Sequence, residues 1–174
     1  ACIQCHARGA QLFWKGSPHE MRGMSCVDCH TIKAERQASL LAETRFAEPP
    51  ATNKQFVKSS QIELCLDCHK MQRAQIQRSS HMPFREGKIN CTSCHNPHGS
   101  PNPKQLTEAT ITDNCVKCHT ERRGPFLWDH PPVVENCDNC HVPHGSSNPQ
   151  LLRVRQPRLC NSCHITARHP STPS

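Results

Sequence analysis

The sequence predicts a mostly irregular chain with short α-helices and no significant β-sheet, folded around bound groups instead of an aliphatic core. Three observations predict this. The pentapeptide Cys-x-x-Cys-His occurs seven times in 174 residues and contains all 14 cysteines. Apolar side chains are scarce for this length, with five Phe, two Trp and no Tyr. Fifteen prolines exclude long helices over most of the chain, and no alternating strand pattern persists.

The seven pentapeptides have the attachment pattern of c-type haem. Two cysteines three residues apart can form thioethers to both vinyl groups on one porphyrin edge, and the adjacent histidine can bind the iron as proximal ligand. Zinc sites and redox disulfides also use Cys-x-x-Cys, but neither explains a histidine after every pair. The expected thioether cysteines are Cys2, Cys5, Cys26, Cys29, Cys65, Cys68, Cys91, Cys94, Cys115, Cys118, Cys137, Cys140, Cys160 and Cys163. The expected proximal histidines are His6, His30, His69, His95, His119, His141 and His164.

Seven haem c groups therefore define the predicted fold class, a multihaem cytochrome c whose short helices pack on a stacked chain of haems. The porphyrins replace the missing core, so we expect the haem-free chain to be largely unfolded. The formal charge of +7 is not read as a nucleic-acid signal, because seven haems bring about 14 propionate charges and about seven positive ferric cores. Lysine and arginine side chains are then expected to pair with propionates.

The chain contains an internal repeat whose unit is a pair of motifs. Residues 91–106 match residues 137–152, and each copy is preceded by His-x-Pro or His-Pro and followed by a further motif. We predict one heptahaem unit over 1–174, with repeats at about 65–106 and 115–152 and a degenerate copy at about 2–33. Composition favours helices over Thr31–Phe46 and, more weakly, over Lys54–Leu64 and Lys70–Ser79. It favours loops over 48–51, 99–103 and 145–149.

Six histidines lie outside the motifs, and four of them occupy matching repeat positions. We expect all six to be distal iron ligands, as in electron-transfer haems with two axial histidines. They are His19, His81, His98, His130, His144 and His169.

Chain length limits which haem each distal histidine can reach. His98 follows His95 by three residues, which span only about 10 Å, so it must serve a neighbouring haem. The simplest scheme is crossed: His81 serves the haem of Cys91, and His98 serves that of Cys65. His130 and His144 would do likewise for the next pair.

The first pair departs from the repeat. Lys33 stands three residues after His30, where the other copies have His98 and His144. A neutral Lys33 amine is a candidate seventh distal ligand, although a solvated helix residue is the favoured interpretation.

Other ways of completing that haem stay open. Weaker ligand candidates are Met21, Met24, Met71 and Met82. A histidine from a second molecule, or an open iron, are the remaining alternatives. His169 follows His164 by five residues, so it too is expected to serve a neighbouring haem.

Several blocks resemble a known family. They are Gly-Pro-Phe-Leu-Trp-Asp-His-Pro-Pro at 124–132, Glu-Asn-Cys at 135–137, and the pattern Cys-His-x-Pro-His-Gly-Ser-x-Asn-Pro. They resemble the paired-CxxCH multihaem cytochromes of the DmsE/MtrA type, decahaem periplasmic proteins, and more distantly the pentahaem NrfB type. The chain departs from that type in having seven haem motifs and in Lys33, where such proteins usually carry histidine.

The resemblance implies a stack of haems, each with two axial histidines, that passes electrons from a periplasmic donor toward the outer membrane. In that family the cytochrome can sit inside an outer-membrane porin and hand electrons to an extracellular partner. The expected partners are accordingly a redox donor and acceptor, and a porin or further copies of the chain. Trp14 and Trp128 are expected to pack on porphyrins.

The leading functional prediction is an electron carrier with no chemistry of its own, because iron saturated by two histidines cannot bind substrate. Two alternatives stay open. One is a reductase of nitrite or a sulfur oxyanion at an open haem, with Lys33 and Arg36 as nearby cations. The other is a subunit of an extracellular cytochrome filament, in which a neighbouring copy donates the missing histidine.

Covalent haem attachment predicts an exported protein of the periplasm or cell surface. No apolar stretch approaches 18 residues, so no transmembrane helix is expected. A chain that opens on Ala1-Cys2 reads as a processed or trimmed form.

Overall fold

A computed structural model of the protein describes residues 2–31 and 60–164. Its regular structure consists of short helices. The α-helices are α1 (Pro18–Met21), α2 (Cys26–Cys29), α3 (Gln61–Cys68), α4 (Lys70–Ile76), α5 (Ile111–Val116), α6 (Pro131–Glu135) and α7 (Arg158–Asn161). The 3₁₀-helices are Cys2–Gln4, Gly9–Gln11, Cys91–Ser93, Pro103–Gln105, Thr120–Arg122, Cys137–Asn139 and Pro149–Leu151.

Extended structure is confined to isolated bridges. Across the described ranges there is no β-strand, and the bridges pair Ser80 with Ser146, His95 with Leu106, and His141 with Leu152. The predicted class, short helices without a sheet, is therefore confirmed. The longest helix of this part of the chain has eight residues, and none of its helices is a candidate for crossing a membrane.

The helix predictions meet the structure at two places. The candidate over Lys70–Ser79 corresponds to α4, which ends at Ile76. The candidate over Lys54–Leu64 enters the described residues at Ser60, whose hydroxyl accepts a hydrogen bond from the N–H of Glu63 at 3.2 Å and caps α3. Apart from Thr31, the candidate over Thr31–Phe46 lies outside the described residues.

Little apolar surface is buried by the protein alone. In the described ranges the buried apolar side chains are Leu66, Ile76, Phe84, Leu106 and Val116, and no side chain is less than 2 % exposed. Large apolar side chains such as Leu127 and Trp128 are 90 % and 87 % exposed. A domain of this length normally buries far more apolar surface. The small core is expected if the fold is built around bound groups.

The chain divides into two compact units. Unit 1 comprises residues 1–70 and 90–110, and unit 2 comprises residues 71–89 and 111–174. Each unit contains the same close backbone contact between a glycine and the residue six positions before a candidate distal histidine. In unit 1 a Cβ on Gly99 would clash with the carbonyl oxygen of Phe13; in unit 2 a Cβ on Gly145 would clash with that of Gln75.

The backbone next to the glycine contact differs between the two units. In unit 2, Ser80 and Ser146 exchange both backbone hydrogen bonds, at 3.0 and 2.7 Å. The corresponding position of unit 1 is Pro18, which has no N–H to donate and instead begins α1 behind the N-cap Ser17. The glycine contact is thus the element that both copies share.

Candidate haem sites

All seven Cys-x-x-Cys-His motifs adopt the same local turn. In each, the histidine N–H donates a hydrogen bond to the carbonyl oxygen of the first cysteine, with N···O distances between 2.8 and 3.0 Å. A helical turn places residues i and i+3 on one face, so the two cysteines of a motif share a face and the histidine follows directly. All 14 cysteines are free thiols. Each turn therefore presents two thiols on one face, as attachment to one porphyrin edge requires.

Two of the predicted proximal histidines are held by backbone carbonyl groups. His95 Nδ1 lies 2.9 Å from the carbonyl oxygen of Lys104, and His141 Nδ1 lies 2.8 Å from that of Gln150. A carbonyl oxygen only accepts hydrogen bonds, so Nδ1 carries the proton in both rings. An imidazole protonated at Nδ1 carries its lone pair on Nε2, which is the form that binds a metal.

These carbonyl groups are presented by an unusual backbone. Lys104 and Gln105 have φ angles of 54° and 56°, and Gln150 and Leu151 have φ angles of 56° and 58°. Left-handed backbone costs a non-glycine residue roughly 1–2 kcal/mol. The same turn lets the N–H of Asn96 bond to the carbonyl of Gln105 at 2.8 Å. The backbone strain thus lies in the two turns whose carbonyl groups orient the rings of His95 and His141.

Three candidate distal histidines lie opposite histidines that are predicted to be proximal. His19 and His69 have ring centroids 6.1 Å apart, and His30 and His98 have centroids 6.0 Å apart; both pairs belong to unit 1. In unit 2, His130 and His164 have centroids 6.1 Å apart.

This spacing fits an iron between two imidazoles. Direct aromatic ring contacts have centroids about 4.5–7 Å apart, so it is the motif histidine in each pair, and not the distance alone, that favours an intervening iron. Two metal–nitrogen bonds of about 2 Å, with about 1.1 Å from each Nε2 to its ring centre, require roughly 6.2 Å. The three pairs match that requirement, and in the described ranges no group of three or more His, Cys, Asp or Glu side chains forms another metal site.

The pairs differ from the crossed scheme derived from chain length. That scheme assigned His98 to the haem of Cys65, but His98 lies opposite His30 of the Cys26 motif. It assigned His130 to the haem of Cys137, but His130 lies opposite His164 of the Cys160 motif. Sequence distance sets only an upper limit on reach, and the packing of one segment on another decides the partner.

The remaining candidate distal ligands are His81, His144, His169 and Lys33. Both ring nitrogens of His81 face oxygen acceptors, with Nδ1 2.9 Å from the carbonyl oxygen of Arg78 and Nε2 3.1 Å from Glu86 Oε1. Lys33 and His169 lie outside the described residues, so their roles as ligands stay predictions. His144 lies within the described residues, and its role as a ligand also stays a prediction. Met21 and Met71 are 77 % and 71 % exposed.

Burial keeps two of the paired rings neutral. Burial lowers the pKa of His69, and the neighbouring His19 lowers it further. Burial also lowers the pKa of His98, with His30 as the next cause. Neutral imidazole is the form that binds metals, so both rings are poised for ligation at neutral pH.

Neighbouring motifs touch through their sulfur atoms. The thiol of Cys65 hydrogen-bonds to Cys91; this bond and burial raise the pKa of Cys65, and the bond lowers the pKa of Cys91 to about 7. The thiol of Cys26 hydrogen-bonds to Cys2 in the same way, and burial is the largest cause of the raised pKa of Cys26. Both contacts join the first cysteines of successive motifs, so the porphyrin edges attached there are neighbours.

Two residues of the site were missed from the sequence. The carbonyl oxygen of Pro97 accepts a hydrogen bond from His19 Nδ1 at 2.7 Å. The side chain of Asn96 donates to the carbonyl of Ala10 at 2.9 Å and accepts from the N–H of His98 at 3.1 Å. The repeated Cys-His-x-Pro-His-Gly pattern marked this loop, but a backbone acceptor leaves no signal in residue type.

Short helices without a sheet, repeated thiol-bearing turns and facing imidazoles define a multihaem c-type cytochrome. The chain belongs to the doubled CXXCH motif family, whose profile matches residues 19–74, 81–124 and 130–169. It is 39 % identical over 170 residues to the multiheme cytochrome MtrA of Shewanella baltica (strain OS185), covering 98 % of this chain and 46 % of that protein. It is 28 % identical over 118 residues to the C-type polyheme cytochrome OmcB of two Geobacter sulfurreducens strains, covering 58 % of this chain and 14 % of OmcB.

The relatives are longer than this chain, which spans about half the length of MtrA and a smaller part of OmcB. The likeness to MtrA extends over nearly every residue described above, and it confirms the predicted resemblance to paired-CxxCH cytochromes of the MtrA type.

Proposed function

We propose that the chain carries electrons through seven covalently attached c-type haems. The observation that carries this proposal is the set of three facing histidine pairs, each spaced for one iron. An iron with two imidazole ligands has no free position for a substrate. The sites therefore favour electron transfer over catalysis at the haems of Cys26, Cys65 and Cys160.

When bound, each haem supplies an iron that gains and loses one electron. The residues of the chain attach it, hold it and set its surroundings. The motif turns place two thiols for covalent anchoring, and the carbonyl groups of Lys104 and Gln150 orient two of the proximal rings. The sulfur contacts of Cys65 with Cys91 and of Cys2 with Cys26 support short distances between neighbouring sites.

The facing pairs support one rule for the distal ligands. His19 follows the first motif and faces the third; His130 follows the fifth and faces the seventh. By the same rule His81, which follows the third motif, would serve the haem of Cys115. Attachment of that haem would then exchange the Glu86 contact of His81 for the iron.

The route of the electrons is proposed from the resemblance to MtrA-type cytochromes. The chain would accept electrons from a redox protein in the periplasm and pass them toward the outer membrane or an extracellular acceptor. Haem propionates would offset its positive formal charge. A porin or further copies of the chain are the proposed structural partners.

The first test is to measure the mass and the spin state of the exported protein. The proposal expects the mass of the chain plus seven haems and a reductive titration that consumes seven electrons. Electron paramagnetic resonance (EPR) of the oxidised protein should show low-spin iron at the Cys26, Cys65 and Cys160 sites. Nitrite or cyanide should leave those signals unchanged; a high-spin signal that shifts with either anion at these sites would contradict the proposal.

A further inference from the structure

The three histidine pairs differ in the angle between their ring planes. The rings of His30 and His98 are 14° apart, and those of His130 and His164 are 24° apart. The rings of His19 and His69 are 80° apart, although their centroid separation is the same to within 0.1 Å. One site thus has perpendicular axial rings where the other two have nearly parallel ones.

The perpendicular setting has an identifiable cause in the loop at residues 96–99. His19 Nδ1–H points at the carbonyl oxygen of Pro97, which fixes the rotation of the His19 ring. The loop is itself fixed by the two hydrogen bonds of Asn96, to Ala10 and to the N–H of His98. Gly99 then closes the loop against Phe13, at a distance that admits no Cβ.

The ring of His98 comes from the same loop but is oriented differently. Its Nδ1 is buried and has no hydrogen-bond partner in the described part of the chain. The indole of Trp14 meets it edge-on, with centroids 6.4 Å apart and planes 60° apart. One loop therefore sets the His19 ring by a hydrogen bond and the His98 ring by packing.

Ring planes control the electronic structure of low-spin ferric iron. Two parallel imidazoles donate into the same iron d orbital and separate it in energy from its partner. Two perpendicular imidazoles donate one into each orbital, so the two stay nearly equal in energy. Near-equal orbitals retain orbital angular momentum, which gives a strongly anisotropic EPR signal, whereas separated orbitals give an ordinary rhombic signal.

We propose that Asn96 is a positioning residue that holds His19 perpendicular to His69 and makes the haem of Cys65 electronically distinct from those of Cys26 and Cys160. The unpaired electron of that ferric site is shared between both d orbitals. It can therefore couple to neighbouring haems along either porphyrin axis. This inference rests on the proposed function, because it assumes two histidine ligands at each of the three sites.

The test is low-temperature EPR of the oxidised haem-loaded protein. The parent protein should show a strongly anisotropic low-spin signal. Replacing Cys65 and Cys68 together by alanine should remove one such signal, and replacing Cys26 and Cys29 together should remove a rhombic signal instead. The inference is overturned if the Cys65 site gives a rhombic signal.

The positioning role is tested by Asn96→Val, which introduces the side chain found at the matching position, Val142. It should convert the anisotropic signal of the Cys65 site to a rhombic or heterogeneous one, with no change in the number of haems. The matched control is Ser100→Ala, which removes another polar side chain of the same loop whose hydrogen bonds reach only Asn102 and should leave the anisotropic signal unchanged. An unchanged anisotropic signal in Asn96→Val would overturn the role of Asn96.

The two levels of the proposal fail differently. Rhombic low-spin signals at all three sites would overturn the perpendicular site and leave electron transfer through two-histidine haems in place. High-spin iron at the three sites in the parent protein would overturn the ligand pairs themselves, and the perpendicular site with them.

Discussion

Removing His98 is the sharpest single test of the ligand geometry. The ring of His98 lies 6.0 Å from that of His30 and is the side chain facing it. His98→Ala should therefore open one iron, that of the Cys26 motif, and leave the other sites unchanged. Because the chain has seven motifs, the expected change is one haem in seven from low-spin to high-spin. The number of cyanide molecules that bind per protein should rise by one.

Haem-deficient backgrounds identify which iron has opened. In a variant with Cys26→Ala and Cys29→Ala, the added His98→Ala should produce no further high-spin signal, because its iron is already absent. In a variant with Cys65→Ala and Cys68→Ala, the added His98→Ala should still produce it. Quantitative EPR and cyanide titration measure both differences.

The crossed assignment predicts the opposite pattern, with the signal lost in the Cys65 and Cys68 background. That result would refute the argument from ring spacing. Ser100→Ala is the matched control, because it alters the same loop at a hydroxyl whose hydrogen bonds reach only Asn102. It should leave every haem low-spin.

Three further predictions concern the fold. Gly99→Ala and Gly145→Ala should each lower the free energy of unfolding of the haem-loaded protein by about 2–4 kcal/mol, because of backbone strain and a clash with a carbonyl group. The control is Gly23→Ala, where φ is +79° but the space is open, and it should cost about 1 kcal/mol. Chemical unfolding measures all three. Lys104→Gly should stabilise by up to about 1 kcal/mol, because it relieves left-handed backbone, whereas Lys104→Val should destabilise; equal unfolding midpoints would contradict this. The chain produced without haem should show little helical circular dichroism and no cooperative melting, because it buries few apolar side chains.

Much of the candidate site could be read from residue order because its chemistry is local. The motif spacing fixes two cysteines on one turn and a histidine after them, and all seven motifs form that turn. The scarcity of apolar residues predicted a small core, and the described ranges bury only five apolar side chains. The short helices and the missing sheet followed from proline content and the lack of alternation. These features depend on neighbours within about four residues.

The pairing of ligands depended on contacts between distant segments. His19 meets His69 across 50 residues, and His30 meets His98 across 68. Chain length permitted these pairs and the crossed ones alike, so it could not choose between them. The choice is made by the packing of Gly99 on Phe13 and by the bond from Asn96 to Ala10.

The sequence by itself determined that the protein is a multihaem cytochrome, because covalent attachment needs only residues adjacent in the chain. Only the tertiary structure decided which histidines face each other and at what angle. An iron takes its second ligand from whichever segment the fold brings within about 2 Å of it, and the angle of that ligand is set by a carbonyl such as that of Pro97. Neither the partner nor the carbonyl is encoded in the spacing of the motif.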